Sequence, residues 1–183
     1  IAIGRTAGRT DQGGGSIGIG FEGGRTSQSS NCVAIGVRAG RSSQGDRGIA
    51  VGNDAGLSNQ GERAVAIGEF AGEVSQGVYA ISIGGGAGEN SQGDYAISIG
   101  ENAGNSSQTD YSIAIGKDSG SLPFTSTATN TVSIGHWAGY TGQNQYSIAI
   151  GYLAGTTGQG TDCIAIGRRS GEGSQSNDGI AIG

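Results

Sequence analysis

The chain has 183 residues, 40 of them glycine, with 34% hydrophobic and 5% aromatic residues, one proline and no methionine. So little bulky apolar side chain excludes the core of a compact enzyme, and glycine without a three-residue period excludes collagen. A net charge of −5 argues against nucleic acid, which demands a basic stripe, and no run of about 18 apolar residues offers a membrane span.

Order has to come from periodicity. A small–Ile–small–Ile–Gly motif has its first aliphatic residue at Ile1, Ile17, Val33, Ile49, Val65, Ile81, Ile97, Ile113, Val132, Ile148, Ile164 and Ile180. Every spacing is 16 except one of 19. The chain therefore reads as a single array over 1–183, with eleven full turns and the opening strand of a twelfth, and it starts inside the motif like a processed chain or an excerpt. Within a turn, place one is the first aliphatic. Places one and three are Ile or Val, place two is Ala, Ser or Gly, and places four and eight are glycine. Period-two alternation predicts a short strand, and glycines four residues apart predict corners. The expected fold is all-β, a parallel β-solenoid with two strands per turn and a rod length of roughly 50 Å.

Two assignments of faces follow from treating the aliphatic residues as core. Places one and three are predicted to form buried columns. Places sixteen and two, including Cys32, Ala64, Ala80, Ala96 and Cys163, are then predicted to form a flat small-residue face that packs against another copy. The competing readings are a polar-enough exposed surface without a partner and a flat face for ice.

Along the chain, Arg9, Arg25 and Arg41 share place nine in the first three turns, to be solvated or met by acids. Place twelve is glutamine in ten of eleven turns: Gln12, Gln28, Gln44, Gln60, Gln76, Gln92, Gln108, Gln143, Gln159 and Gln175. A primary amide carries both donor and acceptor, so these either form an axial ladder or bond the nearby corner backbone. Tyr79, Tyr95 and Tyr111 share place fifteen in successive turns and predict a stacked ladder, or a ribbon for sugars. The repeat then breaks within 117–131, where three extra residues and Pro123 predict a bulged corner. Phe124, His136, Trp137, Tyr140 and Tyr152 cluster around that break as candidate contacts for a glycan or another partner. Cys32 and Cys163 lie eight turns apart, about 38 Å, too far to pair within the chain.

Catalytic and metal chemistry find no footing. One histidine and two distant cysteines match no zinc spacing. Asp46, Asp94 and Asp110 are single acids without a calcium repeat. No cofactor is expected, and the chain reads as a non-enzymatic protein.

Units such as Ser112-Ile113-Ala114-Ile115-Gly116 and Ser147-Ile148-Ala149-Ile150-Gly151 resemble the head repeats of YadA-like trimeric autotransporter adhesins and of related viral and phage fibre proteins. The resemblance spans the whole chain on one short pattern. It implies a left-handed β-roll, three like chains side by side, an extracellular or virion-surface location, and binding to a host surface. The usual repeat of that family is nearer fourteen residues, and a regular glutamine at place twelve is not its hallmark. The expected function is thus a structural and adhesive segment of a surface appendage, adhesin or virion fibre. A flat-faced module for ice or carbohydrate is the alternative.

Overall fold

The computed structural model describes residues 1–121 and 129–183. The chain is an all-β parallel solenoid. Its first sheet has twelve strands, Ala2–Ile3 and then one three-residue strand per turn from Ile17–Ile19 to Ile180–Ile182, stacked in sequence order. Register is exact in residue type: Ile81 pairs Ile97, which pairs Ile113. The long spacing leaves the ladder intact, because Ile113 pairs Val132 directly across the insertion.

A second sheet of six strands runs from Thr10–Gln12 to Asn90–Gln92. Bridges between Thr141 and Thr157 and between Gln159 and Gln175 continue it in later turns. Only the outer two residues of each of these strands pair. The residue between them, such as Asn59 at φ 54° or Ser75 at φ 55°, adopts a left-handed conformation.

Up to three non-glycine residues per turn take that conformation, at places six, eleven and fifteen; in the fourth turn they are Asp54, Asn59 and Arg63. Such residues are uncommon and cost about 1 kcal/mol or more each. Axial hydrogen bonds offset the cost at the corners. The Asp54 N–H donates to the Val37 carbonyl of the turn below at 2.9 Å, and the Arg63 N–H to the Asp46 carbonyl at 2.8 Å. Place four must be glycine for a different reason. At Gly52, with φ 136°, a Cβ would sit 2.5 Å from the Gly68 carbonyl oxygen of the next turn.

The assignment of faces from sequence is reversed. Cys32, Ala64, Ala80, Ala96 and Cys163 at place sixteen are 0% exposed, as are the place-two alanines Ala34, Ala50 and Ala66. The small residues are the core, so they form no self-association face. Ile and Val at places one and three point outward: Ile35, Ile67, Ile83, Ile99 and Ile166 are 36–39% exposed. The cause is the perimeter. A coil of sixteen residues brings its walls so close that Ala34, Ala50 and Ala66 pack directly on Ala39, Ala55 and Ala71 of place seven. Close-packed interiors admit only what their volume allows, and two branched side chains per turn do not fit.

Candidate functional site

The glutamines form an interior column of long polar side chains among columns of small residues. Gln28, Gln44, Gln60, Gln76, Gln92, Gln108, Gln143 and Gln159 are buried, and Gln12 and Gln175 cover the ends. The Gln76 Nε2 donates to the Gln92 Oε1 at 3.2 Å, and the Gln92 Nε2 to the Gln108 Oε1 at 3.1 Å. The same amides also donate to backbone: Gln92 Nε2 reaches the Ile81 carbonyl at 3.0 Å and the Ala96 carbonyl at 3.3 Å. Ladder and corner bonding therefore coexist in one side chain. The ladder is interrupted ahead of Gln60, Gln143 and Gln159; the Gln143 Oε1 accepts from the Ser133 hydroxyl instead, and the Oε1 atoms of Gln60 and Gln159 have no partner among the described residues. Glycine at place eight makes room for it; at Gly155 a Cβ would meet the Gln159 Oε1 at 2.4 Å.

At place sixteen, cysteine and serine do the same work. The Cys32 Sγ donates to the Gly45 carbonyl at 3.0 Å and the Cys163 Sγ to the Ser176 carbonyl at 3.0 Å, as the Ser147 hydroxyl donates to Gly160 at 2.6 Å. Both thiols are free and buried. Burial pushes the Cys32 pKa above the ordinary thiol value.

What the rod offers a partner is its outside. The first sheet presents two aliphatic residues on each strand from Ile17–Ile19 onward, in two straight ranks without an interposed charge. Twelve strands at about 4.8 Å make a strip roughly 50 Å long and two side chains wide. Its footprint, about 500–700 Å², lies at or above the upper end of the largest apolar patches of typical monomers and approaches the ~800 Å² per partner of a standard interface.

Two columns border that strip, and from the fourth turn onward both are largely polar or aromatic. Place fifteen, just before each strand, runs Arg47, Arg63, Tyr79, Tyr95, Tyr111, Asn130, Tyr146, Asp162, Asp178. Place five, just after each strand, runs Arg5, Phe21, Val37, Asn53, Glu69, Gly85, Glu101, Lys117, His136, Tyr152, Arg168. Tyr79, Tyr95 and Tyr111 stack with centroids 5.2 Å apart and planes within 7°. The Arg63 guanidinium caps the Tyr79 ring at 5.1 Å. Both faces of Tyr95 are thus covered, and it presents its ring edge, while Tyr111 at the end of the row is 57% exposed.

The structure brings together three of the residues flanking the repeat break. His136 lies 4.3 Å from Trp137 and 5.7 Å from Tyr152, ring to ring, and Arg168 lies over Tyr152 at 5.9 Å. The Asp118 carboxylate approaches the His136 Nε2 at 4.0 Å, and that nitrogen has no hydrogen-bond partner among the described residues. Tyr140 is half-buried at place nine and makes no ring contact with this group among the described residues. Phe124 lies outside the described residues. Of the place-nine arginines, Arg25 and Arg41 both pair with Glu22, at 3.1 and 2.9 Å. An open hollow of about 510 Å³ lies over Asp11, Ser27, Ser29 and Asp46 in the first turns.

Among the described residues, no three His, Cys, Asp or Glu side chains gather where a metal ion could sit, and no helix is long and apolar enough to cross a membrane. Sequence reasoning missed the isoleucine strip. Its signal was the restriction of places two, seven and sixteen almost entirely to Ala, Gly, Ser and Cys, the residues a very narrow interior requires. No protein-family model matches the chain, and comparison with curated proteins and with solved structures found no match.

Proposed function

We propose that this chain is a non-enzymatic structural and adhesive element of an extracellular appendage, adhesin or virion fibre: a stiff rod that associates with like chains through its isoleucine strip. The observation that carries the reading is the outward orientation of two aliphatic ranks along the full twelve-stranded sheet. Isolated exposed aliphatic residues need no explanation, but a contiguous apolar strip of this size marks an interface. The surrounding design agrees. Every turn contacts only its neighbours, so the molecule is a spacer whose length is set by repeat number. Trp137, one place beyond the border column and packed on His136, is the candidate receptor contact beside the strip.

Sedimentation velocity of the purified protein tests the proposal, together with Ile99→Lys and Ile115→Lys in one variant. The wild type is expected to form a defined oligomer at micromolar concentration, and the variant a monomer with unchanged circular dichroism. A wild type that stays monomeric up to hundreds of micromolar would overturn it.

A further inference from the structure

The two columns bordering the strip carry charges in an order that specifies how a second copy lies on it. Resting on the self-association reading above, we infer that two copies pack strip to strip with their long axes antiparallel, related by a two-fold axis that runs along the strand Ile113–Ile115. Such an axis sets the place-fifteen column of one copy against the place-fifteen column of the other, in reverse order. Each strand then faces its counterpart equally far on the other side of Ile113–Ile115.

In that register, place fifteen matches itself. Arg47, beside the strand Ile49–Val51, meets Asp178, beside Ile180–Ile182. Arg63, beside Val65–Ile67, meets Asp162, beside Ile164–Ile166. Tyr79 meets Tyr146, Tyr95 meets Asn130, and Tyr111 meets its own copy. The opposite border obeys the same centre. Glu69 follows Val65–Ile67 and meets Arg168, which follows Ile164–Ile166. Glu101 follows Ile97–Ile99 and meets His136, which follows Val132–Ile134. Arg47, Arg63, Asp162, Asp178, Glu69, Glu101 and Arg168 are all exposed. The one like-charge meeting is Lys117 with its copy at the axis, and each Lys117 already holds its own Glu101 at 3.0 Å.

Shifting the register by one strand leaves only one Arg–Asp match on place fifteen. A parallel pair, or three parallel chains, sets place fifteen against place five at equal height. There Arg63 matches Glu69 and Asp162 matches Arg168, but Arg47 faces Asn53, and Tyr95 and Tyr111 face the charges of Glu101 and Lys117. Complementary potentials fix register and orientation in an interface whose apolar centre is uniform. Nine strands of each sheet, from Ile49–Val51 to Ile180–Ile182, are covered in the antiparallel pair.

Charge reversal separates the arrangements. Arg47→Asp with Arg63→Asp, or Asp162→Arg with Asp178→Arg, is expected to weaken self-association at least tenfold at low salt. All four substitutions in one chain swap the column end for end, and are expected to return the dissociation constant to within about threefold of the wild type. In a parallel assembly the fourfold variant instead sets like charges together, Arg63→Asp against Glu69 and Asp162→Arg against Arg168, and association falls further. Spin-label distances decide orientation directly, in a background of Cys32→Ala and Cys163→Ala, since Ala64, Ala80 and Ala96 occupy the same place. Labels at Tyr111→Cys are expected within about 20 Å of each other, and labels at Ser30→Cys, ten strands from its symmetry position, about 50 Å apart. Short distances at both sites, or no recovery in the fourfold variant, would overturn the antiparallel pair while leaving self-association standing. Absence of any inter-chain distance would overturn self-association itself.

Discussion

Gly100 has φ 126°, and a Cβ there would lie 2.8 Å from the carbonyl carbon of Gly116. Backbone cannot step aside in an axial ladder, so Gly100→Ala is expected to cost about 3 kcal/mol or more in denaturant unfolding. Gly85, one place beyond the same corner in the preceding turn, has its nearest such neighbour at 4.0 Å and an ordinary φ. Gly85→Ala is expected to be neutral or to stabilise by up to about 1 kcal/mol. Equal effects at the two sites would refute the account of place four. Gln92→Leu removes the donor for the Ile81 and Ala96 carbonyls and is expected to cost about 2–4 kcal/mol. The pH dependence follows two groups. Burial first, then the Glu89 carboxylate, raises the Glu73 pKa above its ordinary value. The folded state therefore binds that proton more tightly, and its stabilising contribution is lost as pH rises through the raised pKa. Glu73→Gln is accordingly expected to gain stability over the wild type at pH 7 and to lose that advantage near pH 4, in thermal melts at both pH values. The Cys32 thiol, also raised, gives the same sign at the alkaline end: stability falls as pH passes the ordinary thiol range.

At the scale of elements, the turn was legible and its inside was not. Period, strand positions and the glycine corners all stand in the spacing of Ile81, Ile97 and Ile113, because a parallel in-register stack repeats every side chain at one interval. The buried face was misassigned because hydrophobicity usually points inward. In this coil steric volume decides instead, and Ala34 outcompetes Val33 for the interior. The left-handed corners at Asp54 and Arg63 were invisible for a related reason. Their residue types vary freely from turn to turn, and what fixes their φ is the axial bond of the N–H, not the side chain. The tyrosine row was legible as a ladder from its period alone. Tyr95→Ala leaves Tyr79 and Tyr111 without their shared partner and is expected to cost about 1–2 kcal/mol. A much smaller loss would show that the rings ride on the backbone ladder without contributing to it.

Across the whole molecule, stability is a sum of turns and of contacts between neighbouring turns. Amide exchange is expected to be slowest in the central turns around Ile81–Ile99, where both sheets and an unbroken run of glutamines coincide. It is expected to quicken toward Gly183, where only isolated bridges join the second wall. The proposed strip-to-strip association would cover one wall alone, so concentrating the protein is expected to slow exchange at the backbone of the first sheet more than at the second. Uniform slowing of both walls would argue for end-to-end stacking of rods instead.

The direct pairing of Ile113 with Val132 carries a practical meaning. Neighbouring rungs ask only that the polypeptide return to the same corner, and are indifferent to how much contour it spends on the way. Foreign peptide added to the connection between the strands Ile113–Ile115 and Val132–Ile134 should therefore leave the scaffold's melting behaviour nearly unchanged, since each doubling of a connection's length costs only about 0.6 kcal/mol. Evolution, or an engineer, can vary the cargo at that point without rewriting the frame.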